Sequence, residues 1–163
     1  MRSVSLAPVL ACLVVGLFAH AATAQPRSVA FDGGIGVIAW RGNTDPPQLN
    51  VVHGISPAGQ PWVIDSLKAE VRVDGRIRVM GTGLLFAGGS NIGTTGTTTS
   101  VGIRIVCGGV VHIAGPADLD DRGDFRFDGV LSEAPPNPCA GPVLLITNAG
   151  GTSWFAAGIL KVR

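Results

Sequence analysis

Charge, catalytic side chains and long apolar runs are all scarce in this 163-residue chain. Only 14% of its residues are charged, where an average globular domain has about 25%. That scarcity excludes a charge-driven disordered segment, an acidic or basic tail, and a coiled coil. Tyrosine is absent, glutamate occurs only at Glu70 and Glu133, and histidine only at His20, His53 and His112. A glycosidase with two carboxylates would therefore lean on aspartate, and a Ser–His–Asp triad on His53 or His112. There is no CxxC pair, no phosphate-cradling loop ending in Gly-Lys, and no GxSxG nucleophile elbow. Beyond residue 24, eleven Lys and Arg balance eleven Asp and Glu, for a net charge of zero. With no basic cluster along the sequence, neither nucleic acid nor an anionic membrane is an expected partner.

The one long apolar run lies at the start. Met1-Arg2 gives a short positive beginning, Leu6 to Ala19 is nearly all apolar, and Ala22-Thr23-Ala24 offers the small residues a signal peptidase reads. Cleavage is expected between Ala24 and Gln25, leaving residues 25–163 as a single secreted or periplasmic domain. The alternative, a membrane anchor, is disfavoured because the run is short for about 30 Å of hydrocarbon and Pro8 interrupts it. No later stretch reaches spanning length, so no membrane span is expected in the mature chain. Cys12 leaves with the leader. The remaining pair, Cys107 and Cys139, is expected to form a disulfide in an oxidising compartment. Closing a loop of about 33 residues stabilises a fold by about 3–4 kcal/mol on the chain-entropy account.

Glycine and proline are plentiful, 24 and 11 residues, and they punctuate short runs of Val, Ile, Leu and Thr. No window holds a helical apolar stripe for three turns without one of these breakers. Strands are expected at Val29–Phe31, Gly36–Trp40, Leu49–Val52, Trp62–Asp65, Leu67–Val73, Arg76–Met80, Leu84–Ala87, Val101–Cys107, Val110–Ala114, Asp124–Leu131, Val143–Thr147 and Trp154–Val162. Short strands at this spacing imply an all-β domain: an antiparallel β-sandwich of Greek-key, immunoglobulin-like type, or a flattened barrel. One hairpin can be specified to its register. Leu67 to Val73 and Arg76 to Val79 alternate strictly. A three-residue loop, Val73-Asp74-Gly75 with Gly75 left-handed, puts Val71 opposite Ile77 and Ala69 opposite Val79 on the buried side. Glu70 then faces Arg78 as an outer ion pair, and Arg72 faces Arg76 at the loop mouth, where water screens the repulsion.

Gly88 to Ser100 (GGSNIGTTGTTTS) is long for a connector in a compact domain. Its polar side chains, among them Ser90, Asn91, Thr94 and Thr95, make it a candidate ligand loop, against a plain connector or a Thr-rich edge strand. Asp118, Asp120, Asp121 and Asp124 partly match a calcium loop, but Arg122 and Gly129 stand where ligands are needed. A strand–turn–strand is the expected reading, with a weak Ca2+ site as the alternative and no other cofactor. The tripeptide Arg122-Gly123-Asp124 is incidental. Gly34-Ile35-Gly36-Val37-Ile38-Ala39 spells a dinucleotide fingerprint, but its own residues are β-branched and Trp40 and Pro46-Pro47 come soon after, with no helix to carry it. His112 falls where strand alternation points it to solvent, and His53 precedes Gly54 at a strand end. Trp40, Trp62 and Trp154 are expected in the core.

Several strings, Asp74-Gly75-Arg76-Ile77, Gly83-Leu84-Leu85-Phe86-Ala87-Gly88-Gly89, Asn91-Ile92-Gly93-Thr94, Pro135-Pro136-Asn137-Pro138-Cys139 and Trp154-Phe155-Ala156-Ala157-Gly158, carry a resemblance. From Pro61 onward the chain resembles small exported bacterial all-β proteins of uncharacterised function. The resemblance implies a disulfide-stapled fold and carries no catalytic residue with it. The function expected is a non-enzymatic exported module with a binding, adhesive or envelope-structural role, its partner an unidentified protein or glycan. Two alternatives stand beside it: a small exported hydrolase using His53 or His112, and a glycan-binding domain using an exposed Trp with the Gly88–Ser100 loop.

Overall fold

The computed structural model describes residues 28–40 and 49–162. The leader expected from the sequence, with its expected cleavage between Ala24 and Gln25, lies outside the described residues. Among the described residues eleven strands succeed one another: β1 (Ser28–Gly36), β2 (Ser56–Pro57), β3 (Trp62–Val63), β4 (Ser66–Arg72), β5 (Arg76–Thr82), β6 (Leu85–Phe86), β7 (Ser100–Cys107), β8 (Val110–Asp118), β9 (Phe125–Val130), β10 (Val143–Asn148) and β11 (Ser153–Leu160). Eight of them make one antiparallel sheet in the order β8-β7-β10-β11-β1-β4-β5-β9, with β2 added parallel to β11 and β3 paired with β6. The two ends of that order meet. Leu119 bridges Phe125, Ser132 N donates to Ile113 O (2.7 Å), and Ile113 N donates to Ser132 Oγ (3.2 Å). The sheet thus rolls almost closed into a flattened barrel, the second of the two expected forms. Consecutive hairpins β7, β8 and β9, with β10 returning beside β7, complete a Greek key.

The β4–β5 hairpin has the expected register: Ala69 opposite Val79, Glu70 opposite Arg78, Val71 opposite Ile77. Gly75 sits at φ +82° and donates to Arg72 O, as a left-handed loop closure requires. Two details differ. Arg78 pairs with Asp128 of β9 (2.9 Å) rather than with Glu70, because β9 lies on its other side. The two arginines at the loop mouth are bridged by Asp74, 3.7 Å from Arg72 and 3.8 Å from Arg76, so a carboxylate offsets the repulsion.

Elsewhere the strands depart from expectation for local reasons. Val29–Phe31 and the start of Gly36–Trp40 are one strand, β1, which carries a bulge between Phe31 and Gly34. Two glycines that read as a break accommodate that irregularity. Leu49–Val52 is a loop closed by a Val52–Ile55 bridge. β7 and β10 do not alternate in burial: Arg104, Val106, Leu145 and Thr147 on one face are as covered as Ile103, Ile105, Leu144 and Ile146 on the other. Such strands read as continuous apolar runs.

Both open ends are plugged. At one end, which we call lower, the crossing from β9 to β10 carries Pro135, Pro136 and Pro138 past Val29, Val71 and Val73. It is anchored there by the Cys107–Cys139 disulfide, Cα atoms 4.9 Å apart, and by Gly108 N donating to Ala140 O. At the upper end, β3 and β6 lie across the mouth. A side chain at Gly36 would collide with the backbone of Trp62 and Val63, so glycine is what lets β3 pack onto the end of β1. No helix among the described residues is long and apolar enough to cross a membrane.

Candidate functional site

A depression at the upper end gathers several neutral polar side chains that are not spent on turns or ion pairs. Its floor comes from the elements that plug that end. Trp62 of β3 stacks on Phe155 of β11 with ring centroids 4.4 Å apart and meets Phe86 of β6 at 4.1 Å. Trp62 and Phe155 are buried and Phe86 is half-buried. Over these rings lies a depression of about 340 Å3 edged by Gln60, Asn91, Thr98, Asn148 and Ser153. Four separate segments supply that edge: the approach to β3, the Gly88–Ser100 loop, the end of β10 and the start of β11.

Each position has a local cause. The Gly88–Ser100 segment is a compact run of turns. Phe86 N donates to Thr94 O, Gly93 N to Phe86 O, Thr94 N to Asn91 O and Thr98 N to Thr95 O. These bonds fold the loop back on β6 and present Asn91 and Thr98 to the depression. Asn148 organises the β10–β11 turn: its Oδ1 accepts from Thr152 N (2.9 Å) and Ser153 N (3.0 Å), and its Nδ2 donates to Thr152 Oγ1 (3.0 Å). Gln60, Asn91, Thr98 and Ser153, by contrast, make no side-chain hydrogen bond within the described residues. Two amides and two hydroxyls with free donors and acceptors therefore surround an aromatic floor. Nothing that titrates near neutrality lines the depression.

Of the loop residues singled out from sequence, only Asn91 belongs to this site. Thr94 braces the loop, its hydroxyl donating to Asn91 O (2.9 Å) and accepting from Gly96 N (3.1 Å). Thr95 is buried and Ser90 is exposed beyond the rim. Thr98, Gln60, Asn148 and Ser153 went unrecognised. Thr98 sits in the same Thr-rich run, but the other three reach the site only through the barrel's topology.

The acidic segment folds as a turn. Asp120 Oδ1 accepts from Arg122 N and Asp124 N, both at 2.9 Å, and Arg122 lies 3.2 Å from Asp120 Oδ2 and 3.8 Å from Asp124 Oδ2. Asp124 Oδ1 accepts from Gly83 N (3.1 Å), tying the turn to the β5–β6 connection. The Asp120 carboxyl is held below its ordinary value, first by the Asp124 N–H and also by Arg122. Asp118 and Asp121 point to solvent, and no three His, Cys, Asp or Glu side chains converge on a cation position among the described residues.

Two expectations about single residues are corrected. His112 faces the barrel interior, 5% exposed, and its Nε2 has no hydrogen-bond partner. The Gly108-Gly109 turn pairs Cys107 with Val110, so His112 shares a face with Ile105 rather than with solvent. Trp40 is 56% exposed, beside Ile38, Leu49 and Val51, while Trp62 and Trp154 are core. Trp154 donates its indole N–H to Asn50 O at 3.0 Å. His53 is exposed on the Val52–Ile55 turn at φ +46°. Neither His53 nor His112 hydrogen-bonds a carboxylate or hydroxyl among the described residues.

Fold and site together define a disulfide-stapled, flattened Greek-key barrel with a neutral polar depression at one end. No protein-family model, no curated protein and no solved structure matches the chain.

Proposed function

We propose that this protein is a non-enzymatic, exported binding module, and that its upper end holds a neutral glycan. The observation that carries this reading is the ring of uncommitted neutral donors and acceptors, Gln60, Asn91, Thr98 and Ser153, above Trp62, Phe86 and Phe155. Sugars present hydroxyls that both donate and accept, together with apolar C–H faces, and amides and hydroxyls over aromatic carbon answer both. A lining without acid or base supplies no general acid–base catalysis, which favours holding a ligand over cleaving it. The Cys107–Cys139 bond supports an oxidising compartment.

The test is a titration of the disulfide-bonded protein with neutral oligosaccharides (gluco-, galacto- and N-acetylglucosamine series), monitored by tryptophan fluorescence. Saturable change that is lost in Asn91→Ala and Gln60→Ala supports the reading. No response across the series, or release of shorter sugars during incubation, overturns it.

A further inference from the structure

The cations that look scattered along the sequence are gathered by strand alternation onto one face. Among the described residues there are eight Lys and Arg side chains, and six of them, Lys68, Arg72, Arg76, Arg78, Arg126 and Lys161, stand on the outer surface of β1, β4, β5 and β9 or beside it. Four carboxylates share that surface: Asp32, Glu70, Asp74 and Asp128. The face is thus net positive, while the rest of the described chain, with the Asp118–Asp124 turn, is net negative.

Two grooves run in line along β4 and β5, of about 500 and about 290 Å3, and both are lined by Glu70 and Arg78. Lys68, Asp32 and Lys161 line the first, and Arg72, Arg76 and Asp128 the second. Successive outward residues on a strand lie about 6.6 Å apart, so charged groups recur at regular intervals along a continuous track. The internal pairs Lys161–Asp32 (3.1 Å), Arg78–Asp128 (2.9 Å) and Arg72/Arg76–Asp74 are exposed, and such pairs are worth only about 0–1 kcal/mol. They yield readily to a ligand. Lys68 and Arg126 have no carboxylate partner among the described residues, and neither does Glu70 a cation.

We infer that this face is a second binding surface, distinct from the depression and independent of it, for a linear acidic polysaccharide bearing carboxylates. Carboxylate oxygens of the polymer meet the four arginines, whose forked donors suit them, and the two lysines. Its hydroxyls donate to Asp32, Glu70 and Asp128. A ligand alternating oxyanions with hydroxyls fits a track alternating cations with carboxylates. A dense phosphate backbone would be repelled by those carboxylates and has fewer hydroxyls to offer them.

The experiment measures binding of the disulfide-bonded protein to polygalacturonate at low and high salt, with dextran and single-stranded DNA in parallel. Polygalacturonate is expected to bind at low salt and weaken as salt is raised, with dextran giving no signal at this face. Arg76→Ser with Arg78→Ser weakens that binding by about tenfold or more, as two charge-assisted contacts are lost. Glu70→Gln narrows the preference for polygalacturonate over the DNA several-fold, because it removes both an acceptor for the polymer's hydroxyls and a charge that repels phosphate. All three side chains are exposed, so unchanged thermal midpoints certify the fold of each variant. Absence of polygalacturonate binding at low salt, indifference to these variants, or tighter binding of the DNA through the same residues overturns the inference. Because the depression is read with neutral sugars and other variants, either reading can fail alone.

Discussion

The two ends of the barrel solve the same problem, closing an open mouth, in opposite ways. The lower end is shut by a covalent bond and by prolines, which have no N–H to satisfy, leaving a crevice of about 200 Å3 lined chiefly by Val29, Val71, Val73 and that proline run. The upper end is shut by stacked rings and hydrogen-bonded turns, with neutral polar side chains left over at the surface. The covalent closure lies below and the uncommitted neutral polar side chains lie above. A barrel stapled at one end can leave the other free to carry side chains chosen for a ligand rather than for stability.

The contrast is sharpest in variants that separate stability from binding. Trp62→Ala removes the ring that both Phe86 and Phe155 pack on, and should cost about 3–5 kcal/mol. Chemical denaturation measures the loss, and oligosaccharide response should disappear with it. Cys107→Ala with Cys139→Ala should cost about 3–4 kcal/mol and lower the thermal midpoint by about 10 °C. Well below that midpoint, sugar binding should be intact. Lost sugar binding in a folded double variant would break the division between the ends.

Smaller effects refine it. His112→Leu removes a buried ring nitrogen with no partner and should raise stability by about 1–2 kcal/mol, read as a higher denaturation midpoint. Asn91→Ala lies on the exposed rim and should change stability by less than about 0.5 kcal/mol while removing the sugar response. The smallest effect is at Asp120. Its folded-state carboxyl is held low, so its contribution is complete above the unfolded value of about 3.9 and fades as pH falls through the lower folded value. Asp120→Asn should flatten the decline of the thermal midpoint below about pH 4, and an unchanged acid profile would show that the turn needs no charge there.

How much of the fold is legible in the sequence depends on how one-sided each strand is. The β4–β5 hairpin can be written down to its register because Leu67 to Val79 alternates strictly and Gly75 marks the left-handed residue. The Cys107–Cys139 pair is legible because these are the two cysteines beyond residue 24, where a leader is expected to end. β8 misleads, since Val110 and Ile113 are exposed while His112 is inside. The diglycine turn sets that register against the apolar preference. Trp40 misleads too, because size alone argues for the core. The depression is legible only at Asn91, one loop residue among its five polar members, because ends of barrels are assembled from segments that sequence keeps far apart.

The division between the two ends is tested most directly by amide NMR of the disulfide-bonded protein during titration with a neutral oligosaccharide that gives a fluorescence response. Saturable shifts confined to Gln60, Asn91, Thr98, Ser153 and the Trp62 indole are expected. Shifts centred on the lower crevice, at the amides of Val29, Val71, Val73, Asn137 and Cys139, would contradict it.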